Sequence, residues 1–276
     1  MLRNTTLFAM LLALFAAQCS NSLSTPYCLT TMGDGVSSTF SNNFNCTQVT
    51  VSGSNHIFQS SNLPNHKSYY YGSSSNLYEA LPSGNTAAGT NKISSQNLKY
   101  TIPTTPTLKS GTLTGTQAGY VSVGITANGL AVFNNAAAPP DNLSTEALTF
   151  DNYAGHPQNS GVYHHHAAVT KVSSGMTNAA LVGVALDGYL IYDEYCNSGS
   201  GSNFLPTANT NAATGNSATD SVGDSATSLD RLHGHTATTK HLTTATYHYH
   251  YMLDPTATIR TLLGSYFRGV PGTVSN

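Results

Sequence analysis

The chain has 276 residues and a formal net charge of −2, and Asp, Glu, Lys and Arg make up only 8% of it, against a usual ~25%. Ser, Thr, Asn and Gly fill the space, and no basic patch is available to neutralise phosphates, which argues against a nucleic-acid partner. Eleven histidines outnumber the ten Lys and Arg residues, so positive charge accumulates as pH falls through ~6.5.

The first nineteen residues read as an export signal: Arg3 precedes an apolar run, Leu7 to Ala17, of eleven residues, well short of the ~20 that span a bilayer. Phe15-Ala16-Ala17-Gln18-Cys19 loosely resembles a bacterial lipobox, with Gln18 as a departure. Two readings stand side by side, a lipid anchor at Cys19 and ordinary signal cleavage nearby. No other stretch is long and apolar enough to cross a membrane, so the expected location is extracytoplasmic: secreted, periplasmic or lipid-anchored to the cell envelope. Of the remaining cysteines, Cys28 and Cys46 are the nearest pair and Cys196 is odd. An oxidising compartment favours one disulfide, but spacing alone leaves the connectivity open.

Residues 20–50 form a polar N-terminal segment, in which Gln48-Val49-Thr50-Val51 alternates as a strand does. The main β domain is expected over 51–270. Ile57 and Phe58 suggest a strand leading to a turn at Pro64-Asn65, and Leu98 to Ile102 a further strand. Helical periodicity is confined to Thr256–Leu263, after Pro255.

An internal repeat then emerges. Val123 to Phe133 aligns without a gap on Val182 to Tyr192, each copy reading as strand, Asn-Gly or Asp-Gly turn, strand. These dipeptides are the usual mark of a type I′ hairpin, whose two central residues both need positive φ. Further on, Asp151-x-x-x-Gly155-His156 matches Asp230-x-x-x-Gly234-His235, and Tyr163-His164-His165-His166 matches Tyr247-His248-Tyr249-His250. The offset grows from 59 (Val123 to Val182) to 79 (His156 to His235) and 84 (His164 to His248). The repeat units are therefore 121–167 and 180–252, and most of the extra length falls in 197–228, a Gly-, Ser-, Thr- and Asn-rich insertion expected to be a flexible surface loop. Frequent turns between short strands predict a mainly β fold, a sandwich or barrel-like sheet domain with an internal duplication of hairpin plus Tyr-His-x-His strand.

The Tyr247-His248-Tyr249-His250 motif resembles the one that names the YHYH-domain family. The resemblance extends to Gly155-His156-Pro157, Gly161 to His166, Gly183 to Gly188, Ile191-Tyr192, Tyr266 to Gly269 and the earlier Asn62-Leu63-Pro64-Asn65-His66, covering roughly residues 50 to 270. It implies an exported protein and brings no established biochemical activity. Two positions depart from the family pattern: His165 stands where Tyr is usual, and Arg231-Leu232-His233 where an acidic residue and a cysteine are typical.

In a strand, alternate side chains share a face, so His164 and His166 point one way, as do His248 and His250. Four imidazoles on neighbouring strands suit copper or zinc, and His156 and His235 are further candidate ligands or general bases. Asp151 and Asp230 either orient a liganding imidazole or initiate a turn by bonding their own backbone. Asp187 is assigned to the hairpin turn, and His233 and His241 are expected on the surface. The alternative to a metal is a set of histidines satisfied by carbonyls and hydroxyls. Three functions follow: capture or storage of a transition metal, metal-dependent hydrolysis in the cell envelope with His156, His235, Asp151 or Asp230 as base, or a non-catalytic module, either structural or binding a small-molecule or glycan ligand. No nucleotide-binding fingerprint is present.

Overall fold

The structure is a computed structural model. It describes residues 28–85, 87–116, 122–167, 181–192, 228–250 and 260–276, with the strand residues 207–208 and 252–253. The expected signal at 1–19, Cys19, Cys196 and nearly all of the insertion 197–228 lie outside the described residues.

The fold is mainly β and is built on two mixed sheets. In the first, β1 (Thr31–Met32), β2 (Gln48–Ser52), β3 (Asn55–Ser60) and β4 (Leu98–Pro103) lie in chain order, and the C-terminal strand Thr273–Ser275 closes the edge beside β4. Alternation is clear here: His56, Phe58 and Ser60 of β3 and Leu98, Tyr100 and Ile102 of β4 are buried, with less buried neighbours between them. β2 runs through the boundary expected at residue 51. A Cys28–Cys46 disulfide ties the start of the described chain to the residues just before β2.

The second sheet carries the repeat. The first copy supplies β5 (Gly124–Thr126), β6 (Ala131–Val132), β7 (Gly155–Pro157) and β8 (Tyr163–His165). The second supplies β9 (Leu181–Ala185) and β10 (Leu190–Tyr192), then, after a small parallel pair β11 (Thr207–Ala208) and β12 (Ser228–Leu229), β13 (Gly234–Ala237) and β14 (Thr246–His250). A last ribbon joins β15 (Met252–Leu253) to β16 (Arg260–Thr261). The sheet order is β13-β14-β10-β9-β5-β6-β8-β7, which reads the same from both ends once the copies are matched. Each half repeats one antiparallel, one parallel and one antiparallel pairing. At the centre β5 and β9 are antiparallel with Ile125 opposite Val184, the two residues that correspond in the repeat. A pseudo-two-fold axis therefore passes between them. Both strands have close neighbours: a Cβ on Gly124 would stand 2.6 Å from the Val184 carbonyl oxygen, and one on Gly183 closer still to that of Ile125.

Residues of both sheets, among them Phe58, Tyr100 and Ile102 with Ile125, Val184 and Ile191, belong to one hydrophobic core, and the arrangement is sandwich-like, with no closed barrel among the described residues. The central strands are covered on both faces, which explains why Leu181 to Ala185 reads as a continuous apolar run and not as an alternation. Asn62, fully buried at φ +55, fastens the connection after β3 to the second sheet. Its amide donates to the Tyr163 carbonyl at 2.8 Å and its oxygen accepts from the Ala131 N–H at 2.8 Å.

Three expectations are corrected. The hairpins are not type I′, because only Gly129 (φ +79) and Gly188 (φ +88) are left-handed and Asn128 and Asp187 are not. The bonds Gly129 N–H to Thr126 O and Thr126 N–H to Leu130 O, with the same pair at 185–189, describe a type I turn followed by a left-handed glycine. Arg260–Thr261 is extended in β16, so the helix expected over 256–263 does not form there; residues 254–259 lie outside the described residues. His233 is buried, not exposed.

Candidate metal centres

The two Tyr-His-x-His strands do not neighbour one another. β10, β9, β5 and β6 separate β14 from β8, about 24 Å at the ~4.8 Å spacing of paired strands. The single four-histidine site expected from the sequence is replaced by two clusters of three. His156, His164 and His166 form one, and His235, His248 and His250 the other; in each, the candidate ligand atoms lie within 4.8 Å of one another, close enough to hold a metal ion. The strand pairing accounts for both. β7 places His156 opposite His164, and β13 places His235 opposite His248, so the Gly-His element supplies the third imidazole.

The Asp, Gly and Tyr of each copy build the scaffold for this pairing. The Tyr163 hydroxyl donates to Asp151, whose Oδ1 and Oδ2 lie 3.0 and 2.9 Å away, and Tyr247 meets Asp230 at 3.0 Å from both oxygens. Each tyrosine crosses a glycine: a Cβ on Gly155 or Gly234 would collide with the hydroxyl. Each aspartate also accepts N–H groups of its own loop, from Tyr153 and Gly155 or from Leu232 and Gly234. Ala154 (φ +56) and His233 (φ +72) occupy the matching left-handed position. Of the two readings of Asp151 and Asp230, the turn-forming one describes these contacts, which run to loop N–H groups and to the tyrosine hydroxyls. Asp187 likewise accepts the Tyr249 hydroxyl and the Gly269 N–H at 2.5 and 2.9 Å.

In the first cluster the hydrogen bonds settle which nitrogen of each ring carries the proton. His164 Nδ1 faces the Val162 carbonyl at 3.0 Å and His166 Nδ1 the Asn134 carbonyl at 2.7 Å; carbonyls only accept, so both nitrogens donate. His156 Nδ1 lies 2.7 Å from Thr149 Oγ1, whose own proton goes to the Glu146 carbonyl, and therefore also donates. All three Nε2 atoms are left with lone pairs. His164 and His166 Nε2 face each other at 3.1 Å, and His156 Nε2 is buried with no hydrogen-bond partner. Such a meeting of lone pairs is unfavourable without a cation between them. A proton is disfavoured too: burial lowers the pKa of His156 to about 3, that of His166 to about 4 and that of His164 well below the ordinary value. In the second cluster His248 Nδ1 faces the Thr246 carbonyl at 2.9 Å and its Nε2 has no hydrogen-bond partner. Burial lowers His248 to about 3.

The matched residues Phe133 and Tyr192 wall the two clusters, Phe133 stacking on His164 at 3.9 Å and Tyr192 lying 5.2 Å from His248. The first cluster opens into a cleft of about 220 Å³ lined also by Tyr70, Asn91, Asp141, Glu146 and Gln158. Glu146 has no place among the candidates drawn from the sequence. It ends the short helix α1 (Leu143–Glu146), capped by Asn142, and its carboxylate reaches to 3.3 Å from His166 Nε2. Burial, then Asp141, raises its pKa to about 7. No periodicity marks such a residue, which comes from a connecting segment. His165, the departure from the usual tyrosine, faces away from the cluster and bonds the Ala154 carbonyl at 3.3 Å.

The family model described as YHYH protein matches residues 99–264. The chain belongs to the YHYH family. The matched span holds both clusters, both hairpins and all eight strands of the second sheet, while β1 to β3 lie outside it and β4 begins just before it. No curated protein and no solved structure matches the chain.

Proposed function

We propose that this YHYH protein is exported and binds two transition-metal ions, one in each three-histidine cluster. The observation that carries the reading is the first cluster's pair of imidazole nitrogens 3.1 Å apart, each with its proton committed to a carbonyl on the far side. Backbone acceptors that hold Nδ1–H and leave Nε2 free are the usual support of a liganding histidine. Neutral imidazole suits zinc and copper. Closure on an ion at ~2.0 to 2.1 Å calls for ligand atoms about 3.3 Å apart, so no pair within the 4.8 Å limit needs to draw together by more than about 1.5 Å. The Cys28–Cys46 disulfide supports an oxidising compartment.

Elemental analysis of protein purified without an affinity tag tests this directly. Two equivalents of metal are expected; His164→Ala and His248→Ala should each leave one, and the double variant none. Absence of stoichiometric metal, with no gain in thermal stability on adding zinc or copper, overturns the reading. Hydrolysis at the first cluster is a second reading, favoured by its opening into the cleft, with His156, the most exposed of the three imidazoles, as the base. It predicts turnover that His164→Ala abolishes.

A further inference from the structure

The two clusters match in their histidines, but the first has an acidic group beside it, at His166. We propose that Glu146 is the fourth donor of the first cluster, so that this site takes a divalent cation, with zinc as its type, in a three-histidine, one-carboxylate shell. The inference rests on the metal-binding reading above and adds the ligand that sets the site's charge and preference.

Glu146 Oε2 stands 3.3 Å from His166 Nε2, and the same nitrogen stands 3.1 Å from His164 Nε2. The edge of a tetrahedron with arms of ~2.0 to 2.1 Å is about 3.3 Å, so both separations fit donors around one ion. Oε2 is itself buried and has no hydrogen-bond partner. His166 cannot supply one while its proton is held on Nδ1 by the Asn134 carbonyl. When Glu146 is ionised, a carboxylate oxygen and an imidazole lone pair thus confront each other, a contact that a cation turns from repulsive to attractive. His156 Nε2, 91% buried by its residue's exposure of 9%, is a second unpartnered donor of the same cluster. The backbone links the parts: Thr149 accepts from His156 and donates to the Glu146 carbonyl at 2.7 Å each. A carboxylate in place of a further neutral donor lowers the charge of the bound shell by one and favours zinc over the softer cuprous ion.

The test uses the full chain carrying His248→Ala, which removes the second site. Zinc is titrated against a chromophoric chelator, and Co²⁺ reports the shell by visible absorption. One equivalent is expected, with Glu146→Gln weakening zinc binding by at least about tenfold and shifting the Co²⁺ bands. Glu146→Asp, which withdraws the carboxylate by one methylene, should fall between the two. The Gln side chain keeps the volume, so the variant's unliganded melting temperature serves as the folding check, and the Asp variant offers a second measurement should Gln disturb the helix. Equal affinity and an unchanged Co²⁺ spectrum in Glu146→Gln overturn the proposal, because they leave Glu146 a neighbour and not a ligand. If the His248→Ala parent binds no zinc at all, the metal reading itself fails first.

Discussion

Tyr163 and Tyr247 show how much a single side chain organises here. Each lies over a glycine and donates to both oxygens of a buried aspartate, which makes Asp, Gly and Tyr one interdependent set and explains why the three recur at matched places. Replacing Tyr247 with Phe leaves Asp230 without its hydroxyl donor and should cost about 1 to 3 kcal/mol of stability, read as a lower urea midpoint at unchanged slope. Gly234→Ala should cost a similar or larger amount, since the added methyl meets the Tyr247 ring and hydroxyl. A neutral result in both would show that the tyrosine–aspartate contact does not support the fold. The residues of the motif were legible in the sequence as a set; their bonding was not, because a hydroxyl's partner lies across a strand pair whose register no spacing reveals.

Among the elements, the hairpins show where a sequence signal was right in kind and wrong in detail. Asn128-Gly129 and Asp187-Gly188 do turn the chain between paired strands, but with one left-handed residue each and not two. Gly129→Ala should destabilise by more than about 1 kcal/mol, because φ is +79 and the new Cβ would lie 2.5 Å from the Cys46 carbonyl oxygen; thermal melting checks it. Replacing Ala127, at a right-handed position of the same turn, with Gly should cost much less. The Gly-His strands are the other case. β7 and β13 are short enough to escape periodicity altogether, yet they supply the third histidine of each cluster. Only the repetition of Asp-x-x-x-Gly-His in both copies marked them.

For the molecule as a whole, the buried histidines couple folding to pH. His156, His165 and His248 are lowered to about 3 and His166 to about 4, in each case by burial first. The unfolded chain takes up these protons near pH 6.5 while the metal-free fold does not, so stability present above 6.5 is lost as pH falls toward 4, at about 1.4 kcal/mol per pH unit for each group. Glu146 at about 7 and Asp187 and Asp230 at about 6 act in the opposite sense, because the fold holds their protons more tightly than the unfolded chain does. The histidines outnumber them, and the metal-free protein should melt at a lower temperature at pH 5 than at pH 7.5. Chelator treatment at pH 7.5 should likewise lower the melting temperature of metal-loaded protein, since an ion that binds only the fold stabilises it. A melting temperature indifferent to both would contradict the buried, ligand-ready state of the clusters.

The sequence by itself determined the β class, the duplication and the six histidines, because these rest on local alternation and on motifs that repeat along the chain. Tertiary structure alone decided how the histidines are partitioned. The duplicated halves meet through β5 and β9, so the symmetry axis lies at the sheet's centre and carries the two Tyr-His-x-His strands apart toward its edges. Glu146 likewise enters only through three-dimensional proximity, on a helix between strands that no repeat identifies. Neighbourhood within a strand pair follows from a few residues of sequence, whereas neighbourhood across a sheet depends on the order in which its strands assemble.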